Sequence, residues 1–205
     1  MKITQRLDLC LLMLFLVILT ECKNWEKQVE KNGIYFDKIH QSKGGTRVGY
    51  MNKNQTIDGL PCEKGWIHFR KNWDLLSIQL SSDFEYKGLL LPKNSWLHLS
   101  YDTNSTDYVV SFPYDIEVQG FWVDGTGSYK GTHTGFYGSG KIRSFYPAKE
   151  LVIQGIPCKR SLLENILVYE NGRLQRCKLS KDFKIDGKRY PKGTTVYFDE
   201  EGRIK

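Results

Sequence analysis

The sequence predicts an all-β protein in which antiparallel β-hairpin repeats are stacked into an elongated sheet or solenoid, behind an N-terminal signal helix. Three observations predict it. Gly59, Gly88, Gly120, Gly155 and Gly187 each close an alternating apolar run, at spacings of 29, 32, 35 and 32 residues. An acidic residue stands five positions before the last four of these glycines (Asp83, Asp115, Glu150, Asp182), followed each time by an apolar one (Phe84, Ile116, Leu151, Phe183). Two turns also share their wording, Gly172-Arg173-Leu174 and Gly202-Arg203-Ile204, with Gly140-Lys141-Ile142 close to them. Period-two alternation marks half-buried strands, and self-similarity at about 20–50 residues marks supersecondary units that stack on one another. The 13% aromatic content and 19 glycines, with few helical patterns, agree with β structure.

The elements follow in chain order. Residues 1–22 form a leader: Lys2 and Arg6 precede an apolar run from Leu9 to Leu19, too short to span a bilayer and suited to a secretory signal. The next residues, Leu19-Thr20-Glu21-Cys22, resemble the lipobox of bacterial lipoproteins, which implies lipidation of Cys22. Glu21 stands where the lipobox has a small residue, so an uncleaved anchor or a different cleavage site remain alternatives. Residues 23–55 are polar and Lys-rich with one strand-like patch, Gly33-Ile34-Tyr35-Phe36, and read as a tether and capping strand. Residues 56–205 form the repeat domain.

Within that domain, Asp102 to Asp107 lacks apolar periodicity and reads as a loop. The Gly-rich stretch 124–140 reads as a mobile or wide hairpin, and Ser161 to Glu170 fits a short helix or a strand start. The last two units are the most regular. Asn171-Gly172, between Val168-Tyr169 and Arg173-Leu174, predicts a type I′ hairpin turn with positive φ at both central residues. This aromatic strand and its Asn-Gly-Arg-Leu turn resemble the variant MORN-type hairpin repeats of bacterial exported proteins, over roughly residues 56–205. The resemblance implies architecture and almost nothing about activity. An ordinary β-sandwich with Gly at its turns is the alternative.

The chain carries a formal +7, and because Lys2, Arg6, Asp8 and Glu21 cancel, all of it lies beyond the leader. That balance favours anionic neighbours such as phospholipid headgroups, lipopolysaccharide or acidic glycans, while simple solubility is the plainer role of such a charge. No Lys/Arg run is dense enough to predict a nucleic-acid partner. Outside the leader and Cys22 the cysteines are Cys62, Cys158 and Cys177. Cys62 and Cys158 hold equivalent places three repeats apart, roughly 25–30 Å at two strands per repeat, beyond disulfide reach. The expectation is a Cys158–Cys177 bridge with Cys62 buried as a thiol. Three buried thiols are the alternative, because Cys177 stands where other copies have Ile78, Val110 and Phe145.

No Cys-x-x-Cys or paired Cys/His spacing predicts a metal site, so no metal is expected. No cofactor is expected either: Gly135 to Lys141 resembles a phosphate-binding loop, but Ile142 stands where magnesium needs Ser or Thr. Gly-x-Ser-x-Gly and His-Glu-x-x-His are absent, and the chain is not expected to be an enzyme. Taking Phe69, Leu99, Phe136, Val168 and Phe198 as inward-facing sends their neighbours to the opposite face. That face then carries Trp66, His68, Arg70, Trp96, His98, Tyr137, Tyr169 and Tyr197 as candidate ligand-binding residues. Stacked aromatics beside Arg and His suit glycan rings or the surface of an envelope protein, while cross-strand pairing that stabilises the sheet is the plainer role. The functional expectation is an exported, membrane-anchored binding or structural module of the cell envelope, periplasmic or at the surface. The alternative is a hydrolase of envelope polymers with its site near the Gly-rich 124–140 loop.

Overall fold

The computed structural model describes residues 25–100 and 105–205. The expected signal helix and Cys22 lie outside the described residues. Within them the fold is all-β. Strands β1 (Glu26–Lys31), β2 (Ile34–Gln41) and β3 (Arg47–Met51) lie side by side, and a short hairpin follows, β4 (Gln55–Ile57) with β5 (Leu60–Cys62). The chain then alternates two sheet strands with one short hairpin. Strands β6 (Gly65–Phe69) and β7 (Leu75–Gln79) precede the hairpin β8 (Phe84–Tyr86)/β9 (Leu89–Leu91). Next come β10 (Trp96–Leu99) and β11 (Tyr108–Ser111), then β12 (Ile116–Val118)/β13 (Phe121–Val123). They are followed by β14 (Thr134–Phe136) and β15 (Ile142–Phe145), then β16 (Leu151–Ile153)/β17 (Ile156–Cys158). Finally β18 (Ile166–Val168) and β19 (Leu174–Lys178) lead through β20 (Phe183–Ile185)/β21 (Lys188–Tyr190) to β22 (Thr195–Tyr197). The long strands form one twelve-stranded antiparallel sheet in sequence order, and each of the five short hairpins is a two-stranded sheet of its own.

The five run-ending glycines occupy one equivalent place, the second central residue of the short-hairpin turn. At Asp58-Gly59 φ is 51° and 78°, at Gln154-Gly155 it is 51° and 84°, and the pairs ending in Gly88, Gly120 and Gly187 behave alike. Positive φ at both positions is the type I′ turn, whose twist matches that of the flanking strands. Asn171-Gly172 is not such a turn. Only Gly172 has positive φ (85°), and the Tyr169 N–H donates to the Arg173 carbonyl at 2.8 Å across a three-residue loop, with a register shift at Leu167/Val168. One residue more than a type I′ turn holds is absorbed as a bulge. The same loop recurs at Tyr137–Lys141 and Asp199–Arg203, and at Arg70–Asp74 with Trp73 (φ 73°) in the glycine's place.

Three of the four periodic acids are structural. Oδ1 of Asp83, Asp115 and Asp182 accepts the N–H of Lys93, Gly125 and Lys192 at 2.7, 3.0 and 2.8 Å, ten residues on in each case. Asn54 does the same for Lys64 at 2.8 Å. Adjacent units are also tied together. Gln119 donates to the Gly140 carbonyl and accepts from the Ile142 N–H, and Gln154 repeats this on Gly172 and Leu174. The core lies between the sheet and the short hairpins. Phe69, Phe136, Val168 and Phe198 are buried from the sheet side and Ile57, Leu91, Val118 and Ile153 from the hairpin side, while Leu99 is half-buried.

Two expectations change. Where a tether and a single capping strand were expected, residues 26–51 supply three full strands of the sheet. The pattern hides them: inward Gly49 on β3 makes room for the Phe36 ring, which an added Cβ would approach to 2.6 Å. The Cys158–Cys177 bridge is not formed. Cys62, Cys158 and Cys177 are buried free thiols, and the Cys158 thiol donates to the Ile156 carbonyl instead. Thiol–disulfide chemistry needs a thiolate; the neighbouring Cys158 and burial push the Cys177 thiol up, and burial pushes the Cys62 thiol to about 12, so both stay protonated.

Candidate functional site

The sheet face opposite the hairpins carries one continuous cross-strand row. Register places His40 opposite Val48, Val48 opposite His68, His68 opposite Ser77, and Ser77 opposite His98. The row continues through Val109, Gly135 and Ser144. Large rings therefore alternate with small side chains from β2 to β10, and small residues floor the sheet beyond. A parallel row puts Lys38 opposite Tyr50 and Tyr50 opposite Trp66. Trp25, just before β1, closes over these rows at 5.4 Å from His40 and 5.8 Å from Trp66. The Lys38 ammonium lies 5.4, 5.5 and 5.1 Å from the rings of Trp25, Tyr50 and Trp66, within cation–π range of all three.

The Gly-rich stretch forms a strap across this face between β13 and β14. Its glycines permit close backbone approach: a Cβ on Gly125 would sit 2.0 Å from the Tyr114 carbonyl oxygen. The strap is fastened at both ends. Gly127 N–H donates to the Phe112 carbonyl at 2.9 Å, and the Thr132 hydroxyl reaches the buried Asp124 carboxylate at 2.9 Å, which also meets Arg160 at 3.4 Å. This fastening sets Tyr129 on the row. Its ring stacks on His68 (5.1 Å, 27°), meets Trp96 edge-on (5.0 Å, 76°) and tilts against His98 (5.1 Å, 59°).

Tyr129 divides the face into two cavities. One, of about 350 Å³, is walled by Trp25, His40, Trp66, His68, Trp96 and Tyr129. The other, of about 450 Å³, is lined by Ser77, His98, Tyr129, Lys130, His133 and Arg143, with Asp107 the one acidic residue on the wall of either among the described residues. Asp107 pairs with Arg143 at 2.9 Å and accepts the Gly138 N–H at 2.9 Å. All four histidines of the chain stand at these cavities. Burial lowers His68, and burial together with His133 and His68 lowers His98 to about 4, so both are neutral at pH 7. The Ser77 hydroxyl holds His98 Nδ1 at 3.0 Å, leaving a buried Nε2 without a partner.

Of the eight residues predicted from sequence, the structure brings Trp66, His68, Trp96 and His98 together here. Arg70 is turned to the Ser100 carbonyl and Asp74 and ties a turn to β10. Tyr137 and Tyr169 sit on turns, and their hydroxyls donate to the carbonyls of Val168 and Phe198 in the next unit. Tyr197 belongs to the same cross-strand row as His68 but eight strand steps away, roughly 40 Å at ~4.8 Å per strand. Sequence reasoning missed Trp25, His40, Tyr129, Lys130, His133 and Arg143. The first two precede the recognisable repeat and the next three lie in the strap, so only the alignment of His40, His68 and His98 on one register could have pointed to this face.

Among the described residues no group of three or more His, Cys, Asp or Glu is arranged to hold a metal ion, and no helix is long and apolar enough to cross a membrane. The chain matches no protein-family model, no curated protein and no solved structure.

Proposed function

We propose that this protein is a binding module of the bacterial envelope, exported and lipid-anchored at Cys22, that holds a glycan by stacking its rings in the tryptophan-walled cavity. The observation that carries the reading is Tyr129: the strap between β13 and β14 is fastened so that its one tyrosine caps a row of Trp and His rings on an otherwise open sheet face. Rigid aromatic walls present large apolar area at small entropic cost, which suits the C–H faces of sugar rings. The stacked hairpins support reading the chain as a distant MORN-type array, and the lipobox-like leader supports the anchor.

A binding role is favoured over the hydrolytic one. Glycoside hydrolysis ordinarily requires a pair of carboxylates flanking the bond, and among the described residues the walls of the two cavities carry only Asp107, already committed to Arg143. The test is binding of envelope polysaccharide by Trp66→Ala and Trp96→Ala. Each is expected to weaken binding at least about ten-fold, as for a central aromatic anchor, with unchanged circular dichroism. Full binding by both variants refutes the site. Incorporation of labelled palmitate into the wild type but not into Cys22→Ala tests the anchor.

A further inference from the structure

The cavity beyond Tyr129 differs chemically from the tryptophan-walled one. Among the described residues, Lys130, His133 and Arg143 stand on its wall against a single carboxylate, Asp107, which uses Oδ2 on Arg143 and Oδ1 on the Gly138 N–H. Asp107 thereby fixes the guanidinium in place, and most of the five guanidinium N–H donors remain available. Lys130 is exposed at the cavity mouth and takes part in no ion pair among the described residues. The Ser77 hydroxyl and the unpartnered His98 Nε2 add neutral polar groups to the same wall. At about 350 and 450 Å³ the two cavities lie toward the small end of ligand sites, about 300–1,000 Å³, and the Tyr129 ring lines both.

Resting on the reading of the tryptophan-walled cavity as a sugar site, we infer that the ligand is an acidic oligosaccharide. An uncharged ring stacks among Trp25, Trp66 and Trp96, and the neighbouring residue places its anionic group behind Tyr129 against Lys130, His133 and Arg143. A neutral sugar there would strip water from cationic groups without replacing it, which costs free energy. A carboxylate or phosphate makes charge-assisted hydrogen bonds about twice as strong as neutral ones. The acidic residue therefore supplies the selectivity, and the stacked residue supplies contact area.

The experiment is retention of the full chain on an array of neutral hexose and N-acetylhexosamine oligomers printed beside the same cores bearing a hexuronate, a sialate or a phosphate. Acid-bearing cores are expected to be retained at least ten-fold better than their neutral parents. The margin should fall as salt is raised, and Lys130→Glu should bring the ratio close to one. The carboxylate and phosphate arms distinguish the two sources of charge. Equal retention of acidic and neutral cores overturns the acidic subsite and leaves the stacking site standing. Full selectivity in Lys130→Glu overturns the placement of the acid behind Tyr129. Retention of no glycan overturns both readings.

Discussion

Acidification is expected to loosen the strap, with His98 as the main cause. The imidazole is held at about 4 against an ordinary 6.5 by burial, with His133 and His68 adding repulsion. It faces Ser77 from β7, Tyr129 and His133 from the strap, and shares its cavity with Lys130, Arg143 and Asp107. A lowered histidine means that the closed state binds fewer protons than the open one between those two values, so stability is fully present above pH 6.5 and drains as pH falls toward 4. At about 1.4 kcal/mol per pH unit the displacement corresponds to about 3 kcal/mol. The three ring contacts of Tyr129, at about 0.5–1.5 kcal/mol each, are of similar size. Protonation of this one ring can therefore offset what holds Tyr129 down.

The assay is backbone hydrogen exchange of residues 124–133 at pH 7, 5.5 and 4, corrected for intrinsic rates, beside the double variant Ser77→Ala/His98→Phe. That variant keeps a ring and removes both ends of the hydrogen bond. Wild-type protection should fall by two orders of magnitude relative to the double variant across the window. Parallel profiles for the two proteins would refute the assignment to His98. Asp199 does not imitate the effect: held at about 2 first by the Arg203 backbone N–H, it contributes stability that is lost only as pH falls from about 3.8 to 2.

Four further outcomes follow from the packing. Gly155→Ala should cost about 1–2 kcal/mol in chemical denaturation, because its φ of 84° is left-handed while a Cβ there meets open space. Gly49→Ala should cost more, since the Phe36 ring behind it is fully buried and cannot move aside; equal losses would show that sterics at β3 are relieved. Gln154→Ala should lower stability by about 1–3 kcal/mol through the two bonds to the next turn, and a neutral result would mean that water replaces them. A strong oxidant should join Cys158 to Cys177 and leave Cys62 a thiol, read by peptide mapping; a Cys62-containing crosslink would contradict the geometry.

The repeat was legible because its turns are chemically demanding. A type I′ turn needs positive φ twice, so Gly59, Gly88, Gly120, Gly155 and Gly187 recur whatever the strands around them do. Half of the site was legible for a similar reason, since alternation puts Trp66, His68, Trp96 and His98 on one face. The strap was not. Its glycines read as mobility, whereas they serve close approach to Tyr114 and Pro113, a fact set by residues of another turn. Nor could alternation tell how far along a long sheet two same-face residues lie, which is why Tyr197 was grouped with His68.

Because the twelve strands follow sequence order, each unit leans only on its neighbours, and growth by copying is geometrically simple. One more unit would lengthen the face by two strand spacings, about 10 Å. The added width would come without redesigning the strands already there, because only the terminal strand would meet the newcomer.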